Sequence, residues 1–232
     1  LQEIAFAGQQ NTYIAGGYQL LSSHDGGNSW EIEMGWYHPS FYTVCFTDAD
    51  HGWASGWSLY KTVNGGENWE ILPAPVDGQA IFLDENVGWI MGWEMIAHTT
   101  DGGQSWVIQD PGAARWTQEL DFTDSLNGWL VANHDYSGNA EIIRTRDGGY
   151  TWEIQYQNED MALFDICMAD TQNGWVVGRS LLHTSDGGMN WEVQDSNYYG
   201  GNSGTDVFFI DPLNGWAMGS YSNSNAVIRT TD

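Results

Sequence analysis

Five times along the chain an eight-residue stretch returns: SHDGGNSW at 23–30, TVNGGENW at 62–69, TTDGGQSW at 99–106, TRDGGYTW at 145–152 and TSDGGMNW at 184–191. A sixth begins as Thr230-Thr231-Asp232. Between these copies runs a second motif, FTDADHGWASG, FLDENVGWIMG, FTDSLNGWLVA, MADTQNGWVVG and FIDPLNGWAMG, with Trp53, Trp89, Trp129, Trp175 and Trp216 at matching places. A degenerate version, FAGQQNTYIAGG, opens the chain with Tyr13 in the tryptophan position. A doubly marked unit of about 40 residues cannot bury its apolar face alone, so neighbouring copies must stack on one another.

Each unit reads as four short strands. One ends in Phe-x-Asp, one starts at Gly-Trp, one runs into Thr-x-Asp-Gly-Gly, and one starts at the next Trp. Proline is scarce and helical periodicity is absent. The expected fold is all-β, a β-propeller of four-stranded antiparallel blades with six repeats visible, the last incomplete, in a six- or seven-bladed ring. A single domain over 1–232 divides into approximate blades 1–34, 35–72, 73–109, 110–155, 156–194 and 195–232. The last repeat stops before its turn glycines, so either a longer chain or a strand from elsewhere is expected to cover its edge.

Within the turn motif, Asp25, Asp101, Asp147, Asp186 and Asp232, with Asn64 as their equivalent, are placed to accept hydrogen bonds from the backbone of their own turn, and the glycines supply positive φ. That Asn serves where Asp stands elsewhere argues for geometry over charge. Near-identical copies suit a structural role, and no following Lys or strand-to-helix context supports a phosphate cradle.

The Thr-x-Asp-Gly-Gly-x-x-Trp stretch resembles the bacterial neuraminidase repeat, or Asp-box. Its combination with Phe-x-Asp…Gly-Trp-x-x-Gly is similar to propellers of the photosystem II stability and assembly factor family, over nearly the whole chain. The resemblance implies a propeller that binds an intrinsic photosystem subunit with help from an arginine-containing patch. Asp-boxes also occur in sialidases, xyloglucanases and sortilin-type receptors.

Six Lys plus Arg against 31 Asp plus Glu give a formal charge of -25. This field repels nucleic acid and anionic membrane surfaces, and no apolar run is long enough to span a bilayer. An arginine patch of the assembly-factor kind is missing. So is a sialidase-type arginine cluster, because Arg144, Arg146 and Arg229 lie beside or within the Asp-boxes and leave only Arg115 and Arg179 for the other face.

Ligand contacts are expected opposite the Asp-box turns, on the connections from strand two to three and from blade to blade. There the repeats disagree: Trp36, Tyr37, Trp57, Trp93, Arg115, Trp116, Tyr198 and Tyr199 collect, including all four of the fourteen tryptophans that stand outside repeat positions. Rigid aromatic surface with a polar handle suits a peptide or a sugar ring.

Ten residues before each Gly-Trp tryptophan, on the alternation face expected to look into a central channel, stand Glu3, Thr43, Gln79, Glu119, Asp165 and Asp206. The four acids Glu3, Glu119, Asp165 and Asp206 read as a solvated funnel. Ca²⁺ is the cation that their oxygens would suit, but no calcium-loop pattern marks a dedicated metal site and no cofactor is expected. Were the chain a glycoside hydrolase, Glu119, Asp121, Asp165 and Asp206 would be its catalytic candidates. The residues nine and seven before the tryptophan, such as Val44 and Phe46, are expected to fill the core between blades. Cys45 and Cys167, on non-adjacent blades, are expected as free, buried thiols.

The reading is a non-enzymatic binding or scaffold propeller that recognises a protein or glycan through its aromatic face. Acidity, lysine scarcity and what the family resemblance implies lead to the expectation that it lies outside the cytoplasm: extracellular, at the cell surface or periplasmic. A glycoside hydrolase and an assembly factor for a photosystem or other membrane complex are the alternatives.

Overall fold

The computed structural model describes residues 3–34, 40–112, 116–135, 138–195, 204–221 and 224–231, and every regular element among them is a strand. They form two compact units, Leu1–Gln109 and Asp110–Asp232.

In the first unit, β1 (Glu3–Ala7), β2 (Asn11–Gly16), β3 (Gln19–Ser23) and β4 (Glu31–Met34) make the first sheet. The second comprises β5 (Phe41–Phe46), β6 (Gly52–Gly56), β7 (Leu59–Thr62) and β8 (Glu70–Leu72), and the third β9 (Gln79–Phe82), β10 (Gly88–Met91), β11 (Ile96–Thr99) and β12 (Val107–Gln109). In the second unit, β13 (Trp116–Phe122), β14 (Gly128–Asp135), β15 (Gly138–Thr145) and β16 (Glu153–Asn158) form one sheet, and β17 (Leu163–Met168), β18 (Gly174–Gly178), β19 (Leu181–Thr184) and β20 (Glu192–Asp195) the next. The last sheet holds three strands among the described residues: β21 (Gly204–Asp211), β22 (Asn214–Tyr221) and β23 (Ser224–Thr230). Every pairing is antiparallel between consecutive strands, so each sheet is a propeller blade.

Both motifs are explained by their turns. In TTDGGQSW the Thr99 hydroxyl accepts from Gly103 N at 3.0 Å and donates to Asp101 Oδ1 at 2.8 Å, and Asp101 Oδ1 accepts from Ser105 N at 2.9 Å. Gly102 and Gly103 sit at φ of 72° and 94°, where a side chain is strained. The same three bonds recur from Ser23, Thr62, Thr145 and Thr184, with Asn64 replacing Asp in the second copy. Bonds from the Ser29 side chain and backbone hold Asp25 at a pKa of about 2, and those from Ser105 do the same for Asp101.

The Asp of Phe-x-Asp caps the hairpin between the first two strands. Asp48 Oδ1 accepts from Asp50 N and His51 N at 2.8 Å each, and Asp84, Asp124, Asp170 and Asp211 repeat the arrangement. The Phe lies across the glycine opposite it: a Cβ on Gly52 would come within 2.5 Å of the Phe46 ring. That crowding is why a glycine precedes each tryptophan.

Adjacent sheets within a unit are tied by the tryptophans. Trp53 Nε1 donates to Gly102 O at 3.2 Å, Trp129 Nε1 to Gly187 O at 3.2 Å, and the Tyr13 hydroxyl to Gly65 O at 2.5 Å. Each acceptor is the first glycine of the following sheet's Asp-box. The Trp53 ring stacks on Phe82 at 3.8 Å and Trp175 on Phe209 at 3.5 Å, so the ring fills the joint while its N–H fixes the register. Lys61 and Arg144 lie over the Trp53 and Trp129 rings, at 5.0 and 4.6 Å from the ring centroids, and Arg229 lies 5.5 Å from the Trp216 centroid.

The inner strands are pinned as well. Thr43 Oγ1 accepts from Ala80 N at 3.0 Å, Asp165 Oδ2 from Val207 N at 2.5 Å, Asp121 Oδ2 from Met168 N at 2.7 Å, and Cys167 Sγ from Phe209 N at 3.2 Å. Thr43 and Asp165 are equivalent positions, and so are Asp121 and Cys167. A hydroxyl, a thiol and a carboxylate thus perform one task, accepting from the next strand. Both cysteines are free and half-buried rather than fully enclosed, and burial pushes their thiols up to about 12.

Most of the expected inter-blade core is found in place: Val44, Leu120, Phe122, Ile166, Met168, Val207 and Phe209 are buried, while Phe46 is half-buried against the same core as Val44. The first sheet departs from it. Ile4 and Phe6 are 47% and 65% exposed, because no earlier repeat in their unit packs on that face. On the last sheet Phe208, on the opposite face, is 57% exposed.

Two outcomes are expected. Thr99→Val keeps the volume but leaves Gly103 N unpaired, costing about 1–2 kcal/mol and lowering Tm by several degrees in a thermal melt, whereas the exposed Thr100→Val in the same turn leaves Tm unchanged. Stability against pH should peak at mildly acidic pH. The Asp-box carboxylates, with folded pKa below the unfolded value of 3.8, lose their contribution as pH falls through that value towards about 2. Burial raises Asp121 to about 6, and burial together with the neighbouring Asp206 and Asp121 charges raises Asp165, so their contribution is full below the unfolded value and is lost as pH rises through the folded one. Asp121→Asn, which keeps an acceptor for Met168 N, should raise Tm at pH 8 and leave it unchanged at pH 4; equal shifts at both would contradict this.

Candidate binding surface

In every four-stranded sheet the Asp-box turn joins strands three and four at one end, and the connection from strand two to three turns at the other. Asp-box positions 25, 64, 101, 147 and 186 therefore share the structural end of their sheets. Asp232, Trp36, Tyr37, Arg115, Tyr198 and Tyr199 lie outside the described residues.

At the other end of the first unit a row of aromatic side chains stands out. Trp57 follows β6 and Trp93 follows β10, and they are 59% and 77% exposed. The corresponding connection of the first sheet carries Tyr18, 68% exposed. The three turns are held by backbone bonds and close packing. Gly17 O, beside Tyr18, accepts from Phe41 N at 2.8 Å, and Gly56 O, beside Trp57, accepts from Gly78 N at 3.0 Å. Gly92, beside Trp93, lies so close to the Val76–Asp77 segment that a Cβ on it would meet Val76 Cβ at 3.0 Å and the Asp77 carbonyl at 3.3 Å. The Val76-Asp77-Gly78 segment therefore runs between the turns bearing the two tryptophans.

Trp57 is also oriented from below, its Nε1 donating to the Tyr42 hydroxyl at 3.0 Å. An exposed indole with a fixed ring loses little entropy when a ligand covers it. Tyr18 and Tyr42 escape a sequence search because they sit one residue off the Gly-Trp-x-x-Gly register and within a strand; the aromatic after the turn glycines was the only signal for Tyr18.

The other candidates are dispersed. Trp116, half-buried, starts β13 in the second unit. Glu3 on β1 and Asp206 on β21 are exposed, and Glu119 on β13 is half-buried. Asp121 and Asp165 are not open carboxylates looking into solvent, since each holds a backbone N–H of the following strand. No group of three or more His, Cys, Asp or Glu side chains converges as a metal site among the described residues. His98 and His183, at equivalent positions, lie with ring centroids 4.7 Å from Trp89 and Trp175 respectively. A polar hollow lined by His183, Ser185, Asp186, Asn190, Trp191 and Glu192 lies at the Asp-box end of the fifth sheet, and its polar walls include the turn's own hydrogen-bonded residues. No helix among the described residues is long and apolar enough to cross a membrane.

Solved structures resemble this fold across the whole chain. YCF48 bound to D1 peptide matches at 17% identity, covering 100% of this chain and 93% of that one, with a TM-score of 0.53. YCF48 from Cyanidioschyzon merolae matches at 14% identity, covering 99% and 94%, with a TM-score of 0.52. The GH74 xyloglucanase from Xanthomonas campestris matches at 17% identity, covering 99% of this chain but 37% of the enzyme, with a TM-score of 0.65. At such identities the likeness concerns the fold. No curated protein sequence matches significantly. Residues 111–232, more than half of the chain, match the family described as photosynthesis system II assembly factor YCF48, and the chain belongs to that family.

Proposed function

We propose that this protein is a non-enzymatic, peptide-binding propeller that holds an extended segment of a partner protein across Tyr18, Trp57 and Trp93. The observation that carries the reading is the exposure of these side chains on three consecutive connections of one unit, each anchored through its turn. Soluble proteins rarely leave large rigid aromatics in a row unless something covers them, and rings spaced by one blade suit an extended chain whose side chains recur at regular intervals. A related propeller bound to D1 peptide supports a peptide over a glycan as ligand. The engagement of Asp121 and Asp165 with backbone amides favours binding over hydrolysis, since a glycosidase needs two carboxyls facing the scissile bond.

A panel of short extended peptides of varied composition, with a xyloglucan oligosaccharide as comparator, tests the reading by fluorescence anisotropy. At least one peptide class should bind, and Trp57→Ala and Trp93→Ala should each weaken it about tenfold while Thr100→Val leaves it intact. Saccharide binding without peptide binding, or peptide binding indifferent to both tryptophans, would overturn it.

A further inference from the structure

We infer that the segment this surface takes is cationic: a stretch whose Arg or Lys side chains insert beside Trp57 and Trp93 and are met by Asp77 and Glu94. The inference rests on the peptide-binding reading and adds the chemistry of the partner.

Residues 1–109 hold one basic residue, Lys61, against thirteen Asp and Glu. Lys61 is occupied elsewhere. Its ammonium caps the Trp53 ring and reaches the Glu85 and Gly102 carbonyls at 3.3 and 3.4 Å, at the Asp-box end of the sheets. The aromatic end of this unit therefore has no Lys or Arg side chain among the described residues to receive an acidic ligand.

Carboxylates do stand there. Asp77 is exposed on the segment that runs between the two tryptophan-bearing turns, one residue before the Gly78 N–H that bonds Gly56 O. Glu94, also exposed, directly follows Trp93. Exposed indoles on the two turns that bracket the segment bearing an exposed carboxylate supply what a guanidinium or ammonium binds: ring quadrupoles attract the cation, and a carboxylate accepts its N–H donors. Apolar parts of the same segment have Met95, 43% exposed, and Tyr18 to lie against. An acidic segment would instead meet uncompensated like charge.

Tryptophan fluorescence titrations with two synthetic peptides, one alternating Arg and Ser and one alternating Glu and Ser, decide the matter. The Arg peptide should bind at least about tenfold tighter than the Glu peptide, more weakly as salt is raised, and both Trp93→Ala and the pair Asp77→Asn with Glu94→Gln should reduce its affinity severalfold. The pair Glu67→Gln with Glu70→Gln removes the same charge near the Asp-box end and should leave affinity unchanged. If it weakens binding as much as the Asp77 and Glu94 pair, the attraction is that of the whole acidic chain and the inference falls. Preferential binding of the Glu peptide through Trp57 and Trp93 overturns the inference but preserves the peptide-binding reading. Arg-peptide binding indifferent to both tryptophans overturns both, and so does a failure of all peptides, in this pair and in the wider panel, to bind.

Discussion

One hydrogen bond organises this protein: the ring N–H or hydroxyl of the second-strand aromatic donated to the first glycine carbonyl of the following sheet's Asp-box. The donor is fully buried at Trp53, Trp129 and Tyr13, where an unpaired polar group would be costly. The acceptor is available only because the turn takes a shape in which its own side chains satisfy the neighbouring amides. Turn and tryptophan are therefore two halves of one joint, and this is why the two motifs recur together. It also explains why Asn64 can replace Asp, since Tyr13 needs the carbonyl of Gly65, not a charge.

The strong acidity has a structural part. Nine of the 31 acidic residues, four in Asp-boxes and five in the Phe-x-Asp hairpins, spend their oxygens on backbone amides of their own turns. Asp121 and Asp165 reach across to the next strand instead. Lys61 and Arg144 are held against tryptophan rings and glycine carbonyls. Among the described residues, the aromatic end of the first unit presents apolar ring surface and negative charge, a combination that a cation can match.

Much of this was legible in the residues. The repeat gave the strand count, the strand boundaries and the end of each sheet at which variation should concentrate, because side-chain alternation and hairpin order leave little freedom once the turns are known. Trp57 and Trp93 stood out by breaking the repeat. Asp121 broke it too, yet its place is taken by Cys167 in the next sheet, and both accept from the same backbone position; a one-dimensional comparison sees a new charge where the fold sees another acceptor. The position shared by Glu3, Thr43, Asp165 and Asp206 does not behave uniformly either, as Thr43 and Asp165 accept from the neighbouring strand while Glu3 and Asp206 stay exposed. Ile4 and Phe6 match the core pattern but lack a preceding sheet in their unit, so a rule true of the repeats fails at the first of them.

The sequence by itself determined the blade: four antiparallel strands, the Asp-box turn, and the glycine before each tryptophan, all set by contacts within about 40 residues. Only tertiary structure decided which polar side chains are consumed by the fold and which stay exposed. Those assignments depend on bonds between sheets, from Asp165 to Val207, from Lys61 to Gly102 and from Gly56 to Gly78, whose partners are separated by 22 to 42 positions. Chain order does not show that such groups meet; the stacking of one blade on the next does.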